Sequence, residues 1–296
     1  MRIVSLVPHA TELLFSLGLG DQVVGVTHEC DYPEEALDRQ PVTRNVLRDG
    51  LSPSEIDRAV RARTEQGESI YELDEEIVRE LEPDLIVTQA LCHVCAVSVD
   101  EVRALALALP GPPRVISLDP KTYGETLGDV RTIAQATGAR DAALDLIART
   151  ARRADVVRLA VRGAPRPRVA ALEWLDPVFV GGHWVPQLVD MAGGEDVVGH
   201  PGEPSREASW EEVARAQPEV VVVMPCGYDA ARALVEAEEH AAPLRELGAD
   251  AVYAVNASAY FSRPGPRLVE GLELMAHILH PDRVPTAPAE ALVVDL

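Results

Sequence analysis

Four cysteines, Cys30, Cys92, Cys95 and Cys226, each stand just past an apolar run that reads as a β-strand, and soft sulfur in such a place could hold a metal. Thiolates favour zinc, copper(I) or an iron-sulfur cluster, with His28 and His93 as nitrogen ligands at hand. Cys92-His93-Val94-Cys95 is a lone pair with a two-residue gap, and no second such pair completes a zinc ribbon. Thiol exchange through Cys92 and Cys95 is a second chemistry, favoured by the start of a helix at Ser98 that would lower a thiol pKa. Plain space-filling by small, partly buried residues is a third.

A different set of side chains suits a large planar or cage-like ligand. Tyr32, Trp174, Trp184, Tyr228 and Phe261 offer aromatic area, and two of the three tryptophans fall within residues 173–186 although aromatics make up only 4% of the chain. Pro8, His9, His28, Glu29, Gln89, Glu173, His183 and Arg263 stand near strand ends and offer oriented contacts, while His28 or His183 could approach a metal in the ligand. No Gly-x-Ser-x-Gly elbow, phosphate-cradling glycine loop or two-histidine helix motif is present, so a hydrolase is disfavoured.

These residues need elements to position them. Pro83-Asp84-Leu85-Ile86-Val87 reads as a fully buried parallel strand, preceded by the helical Glu75-Glu76-Ile77-Val78-Arg79. The same order recurs as Glu211-Glu212-Val213-Ala214-Arg215 before Pro218 and the run Val220-Val221-Val222-Val223, which implies two lobes of one design. Further strands are expected at residues 4–7, 23–26, 114–118, 169–172 and 252–255, and capping boxes at Ser52, Ser98 and Ser209 open helices. Residues 122–163 keep helical spacing with no strand signal and read as a long connector, broken near Gly138. The expected organisation is an α/β chain of two Rossmann-like lobes with parallel sheets, a ligand cleft between them, and boundaries at 1–121, 122–163, 164–284 and a loose tail at 285–296.

Bulk properties narrow the partners. A net charge of −21, with Lys121 the single lysine, disfavours nucleic acid and anionic membrane surfaces, and no apolar run reaches the roughly 20 residues a bilayer span needs. Met1-Arg2-Ile3-Val4 enters a strand at once, so a cytoplasmic location is expected, with a periplasmic protein or lipoprotein whose signal has been removed as the alternative.

Four pieces in order resemble the cobalamin and iron-siderophore substrate-binding proteins of ABC transporters, and most closely their cobalamin-binding branch. They are Val4-Ser5-Leu6-Val7-Pro8-His9-Ala10-Thr11-Glu12, the Pro-Asp-Leu-Ile-Val strand, residues 174–194, and Phe261-Ser262-Arg263-Pro264-Gly265-Pro266-Arg267. The resemblance covers nearly the whole chain and implies two α/β lobes bridged by a long helix. It also implies a small-molecule ligand such as cobalamin or a related corrinoid, haem or an iron chelate, bound without chemical change, and an ABC transporter permease as partner if the chain is exported. The cysteines depart from that family's needs, so a cytosolic thiolate metal or iron-sulfur protein is the alternative function and a thiol redox enzyme the third.

Overall fold

The structure, a computed structural model, describes residues 1–48, 50–66, 68–90 and 97–296. It divides into two units, Met1–Pro120 with Leu127–Ile147, and Lys121–Thr126 with Ala148–Leu296.

Unit 1 begins with β1 (Ile3–Ser5), α1 (Pro8–Ser16), β2 (Val23–Val26), β3 (Gln40–Pro41) and β4 (Thr43–Asn45). It continues through α2 (Pro53–Glu65), β5 (Tyr71–Leu73), α3 (Glu75–Leu81), β6 (Leu85–Thr88), α4 (Val99–Ala108) and β7 (Arg114–Ser117). The main sheet has the order β3-β2-β1-β6-β7 and every pairing in it is parallel. Successive strand residues point to opposite faces, so Ile3, Leu85 and Val87 enter one core cluster while Val4 and Ile86 enter another. Both faces are thereby covered, which is why Leu85-Ile86-Val87-Thr88 carries no solvent-facing position. β4 and β5 pair antiparallel as a separate ribbon.

Local chemistry sets the helix ends. Ser52 and Glu55 form the expected capping box, the Ser52 backbone N–H and hydroxyl donating to the Glu55 carboxylate at 2.8 and 2.9 Å. The capping bond expected at Ser98 does not form: α4 starts at Val99 with no side-chain cap. Residues expected to form one connector fold as α5 (Tyr123–Thr137) and α6 (Arg140–Ala160), separated at Gly138, whose φ of 82° suits glycine and whose N–H closes on the Ala134 carbonyl at 2.8 Å. Val130, Ile133, Ala143 and Leu146 from these helices join the unit 1 core, so the segment is not a body of its own.

Unit 2 contains β8 (Arg168–Leu175), β9 (Val178–Val180), α7 (Val185–Met191), β10 (Glu195–Asp196), β11 (Arg206–Glu207), α8 (Trp210–Arg215) and β12 (Val220–Val223). After these come α9 (Ala230–Glu239), α10 (Ala241–Glu246), β13 (Ala251–Ala254), α11 (Ala257–Tyr260), α12 (Leu268–Leu279) and β14 (Leu292–Val293). Its sheet runs β11-β9-β8-β12-β13-β14, with β10 on the first residues of β8. The centre, β8, β12 and β13, is parallel as expected, but β9, β11 and β14 pair antiparallel, so the sheet is mixed. Ser209 caps α8 by accepting the Glu212 N–H at 3.2 Å. The tail expected to lie loosely is corrected by β14, where Leu292 and Val293 complete a sheet edge and Val294 is buried at 4% exposure.

Candidate functional site

Open α/β sheets bind ligands beyond the carboxyl ends of their strands, at the point where strand order reverses. In unit 1 that point lies between β1, followed in sequence by β2 on one side, and β6, followed by β7 on the other. The Leu6 N–H donates to the Val87 carbonyl at 2.8 Å, and the chains then leave the sheet as Pro8-His9 and Gln89-Ala90. Pro8 occupies the first turn of α1, where its missing N–H costs nothing. His9 and Gln89 are buried, and Ala90 N–H is held by the Asp119 carboxylate beyond β7.

The loop leaving β2 is ordered by hydroxyls. His28 is exposed, its backbone N–H donates to Thr43 Oγ1 at 3.2 Å, and its Nδ1 shares a second hydrogen bond with that oxygen at 2.8 Å. Its ring lies 5.2 Å from that of Tyr71, whose hydroxyl donates to Glu29 Oε1 at 2.7 Å. Tyr32 is 45% exposed and is the accessible aromatic of this face. Cys30 instead points inward, with Sγ 3.0 Å from Thr11 Oγ1 and 3.3 Å from Thr27 Oγ1.

In unit 2 the reversal lies between β8 and β12. The two exits meet directly: the Cys226 N–H donates to the Glu173 carbonyl at 3.2 Å, and the rings of Trp174 and Tyr228 stand 5.4 Å apart, edge to face at 65°. Trp174 is part exposed and donates its indole N–H to the Asp176 carbonyl at 3.1 Å, while Tyr228 is 4% exposed and burial raises its hydroxyl pKa. The Glu173 carboxylate accepts the Ser205 hydroxyl at 2.5 Å. His183 follows β9; burial first, and the Lys121 charge second, hold its imidazole below the usual histidine value.

Besides the buried Tyr228, two further expected aromatic faces are corrected to interior positions. Trp184 and Phe261 are 5% and 1% exposed, and the Trp184 indole N–H donates to the Phe261 carbonyl at 2.7 Å, so the pair forms supporting wall. Arg263 is part exposed in the turn after α11, where the Gly265 N–H donates to its carbonyl at 2.8 Å.

The thiolate site finds no support. Cys92, His93 and Cys95 lie outside the described residues; Cys30 is buried among hydroxyls and Cys226 is exposed. Among the described residues, no group of three His, Cys, Asp or Glu side chains could hold a metal ion.

Sequence reading missed Arg232, Thr43, Tyr71 and Ser205, which contact the residues it chose. Arg232 lies in the first turn of α9, but Tyr228 precedes that helix, so no helical period ties the two together in the sequence.

A vitamin B12-binding protein from Vibrio cholerae serotype O1 is 24% identical over 288 residues, covering 92% of this chain and 86% of the relative. One from Pectobacterium carotovorum is 25% identical over 228 residues, covering 75% and 70%. The crystal structure of the periplasmic vitamin B12 binding protein BtuF of Vibrio cholerae matches with a TM-score of 0.68 and 23% identity over 94% of this chain and 96% of that one. The periplasmic heme-binding protein RhuT from Roseiflexus sp. RS-1 matches at 0.67 with 23% identity over 96% and 98%. The cytoplasmic location expected from the strand at Met1-Arg2-Ile3-Val4 is overturned by the match to a family described as periplasmic, as these two structures also are. The chain is a non-catalytic protein of the periplasmic binding type. A family model described as periplasmic binding protein matches residues 3–246, and the chain belongs to that family.

Proposed function

We propose that this protein binds a corrinoid and hands it to an ABC transporter permease. The observation that carries the reading is the Trp174–Tyr228 pair at the sheet reversal of unit 2, an aromatic edge set beside the polar groups Glu173 and Ser205. A flat macrocycle rimmed by amides needs that combination of apolar area and directional hydrogen bonding. Candidate contacts in unit 2 are Glu173, Trp174, His183 and Arg263, with the buried Tyr228 behind Trp174; in unit 1 they are Pro8, His28, Glu29, Tyr32 and Gln89. His9, Trp184, Phe261 and Tyr228 are all buried and serve as support, so Trp174 supplies the aromatic face. The similarity to vitamin B12-binding proteins along most of the chain favours a corrinoid over other tetrapyrroles.

Calorimetric titration of the purified protein with cobalamin and, separately, with hemin tests the ligand. Saturable one-to-one heat with cobalamin, weakened about tenfold or more in Trp174→Ala, is expected for an aromatic anchor. Heat with hemin alone would replace the corrinoid by a haem, and heat with neither would end the tetrapyrrole reading.

A further inference from the structure

Three non-glycine residues among those described have a left-handed backbone: Glu82, His183 and Gln217, with φ of 43°, 50° and 48°. Glu82 caps the carboxyl end of α3, and Gln217 follows the end of α8, positions where this conformation satisfies the last helical carbonyls. His183 has no such role, since it lies between β9 and the start of α7.

The strain at His183 is held from both sides. Its N–H donates to the Glu203 carbonyl at 2.6 Å, and its carbonyl accepts the Gly202 N–H at 2.8 Å. The preceding Gly182 lies so close to the 203–205 backbone that a Cβ there would sit 2.2 Å from the Ser205 nitrogen. Non-glycine residues kept in a costly conformation by surrounding bonds mark places where a side chain must be aimed.

What is aimed is an imidazole whose two ring nitrogens have no hydrogen-bond partner among the described residues. Its ring lies 5.5 Å from that of Trp184, tilted by 32°, and Trp184 is itself fixed through the Phe261 carbonyl. Burial first, and the Lys121 charge second, lower its pKa and so favour the neutral ring, which carries a lone pair.

We propose that His183 is an axial ligand to the metal centre of the bound macrocycle, which makes this protein selective for metallated tetrapyrroles with an exchangeable axial site. One nitrogen–metal bond forms as one metal–water bond breaks, the water leaves to solvent, and the metal keeps its oxidation state. The inference rests on the tetrapyrrole reading and sharpens it from shape to coordination chemistry.

The test compares aquocobalamin, whose axial water exchanges, with cyanocobalamin, whose axial cyanide does not. The wild-type protein is expected to shift the visible spectrum of aquocobalamin and to bind it at least about tenfold more tightly. His183→Ala and His183→Asn should bind the two alike, with no shift. In protein labelled with 15N-histidine, the nuclear splitting of bound cobalt(II) cobalamin in electron paramagnetic resonance should change from the 14N to the 15N pattern.

Equal binding of both cobalamins with an unshifted spectrum would overturn His183 ligation and leave the corrinoid reading standing. If neither cobalamin binds, the corrinoid reading fails and hemin decides the ligation through the same two variants. A hemin spectrum insensitive to both variants, or no hemin binding, would then overturn it.

Discussion

The guanidinium carbon of Arg232 lies 3.7 Å from the centroid of the Tyr228 ring, which also packs against Trp174 at 65°. A cation over one aromatic thus braces the second, and an exposed side chain on α9 reaches the sheet reversal of unit 2. Arg232→Ala is expected to cost about 0.5–1 kcal/mol in urea unfolding, the usual worth of an exposed cation–π contact. Arg232→Lys should recover part of it. An unchanged unfolding midpoint in Arg232→Ala would show that the contact contributes nothing.

Glu236, one turn further along α9, is 6% exposed and its Oε1 has no hydrogen-bond partner among the described residues, with His240 Nδ1 3.5 Å away. Burial raises its pKa against the opposing pulls of His240 and Arg232. The folded state therefore holds a proton that the unfolded chain releases, and stability falls as pH rises through the window between the unfolded and the raised folded value. Glu236→Gln should stabilise the protein at pH 7 and lose that advantage near pH 4. Two parallel stability curves across this range would contradict the account.

His183→Asn relieves left-handed strain, because asparagine adopts this conformation more readily, and should add about 1 kcal/mol or less at pH 7. The lowered imidazole pKa adds a second effect, since the unfolded chain binds a proton between the folded value and about 6.5 while the native state does not. The variant's advantage should therefore grow as pH is lowered from 7 to 5. Denaturant melts of both proteins at the two pH values measure it, and a smaller advantage at pH 5 would reverse the assignment.

Gly182→Ala would drive a methyl into the 203–205 backbone and push Ser205 from the Glu173 carboxylate. A cost of roughly 1–3 kcal/mol is expected, as for other overpacked sites. Weaker cobalamin binding should accompany it in calorimetry. A melting temperature equal to that of the wild type would mean that the 203–205 strap yields easily.

The parallel core was legible because its strands have no polar position: Leu85-Ile86-Val87 and Val221-Val222-Val223 are buried on both sides. The edges were not, since β9 and β11 are short and depend on pairing partners far along the chain. Leu292-Val293 sits among alanines and prolines that disguise a strand made only by contact with Tyr253 and Ala254. Trp174 could be picked as an aromatic near a strand end, but Tyr228, Trp184 and Phe261 look the same in sequence and differ from it only in burial. The left-handed His183 was illegible for a plainer reason: the glycines announcing an unusual turn are its neighbours, Gly181 and Gly182. Location was misread from the first strand because residues 1–7 record how a sheet strand is built and nothing of where the protein works.

Neither unit is one uninterrupted stretch, since Lys121–Thr126 belongs with the second and Leu127–Ile147 with the first. On the ribosome, then, the earlier unit cannot finish its core until α6 has begun to emerge, and the six residues around Tyr123 must wait for a sheet not yet synthesised. Splitting the gene after Pro120 would give two fragments that each lack a piece of themselves, and complementation between them is the behaviour this interleaving favours over independent folding.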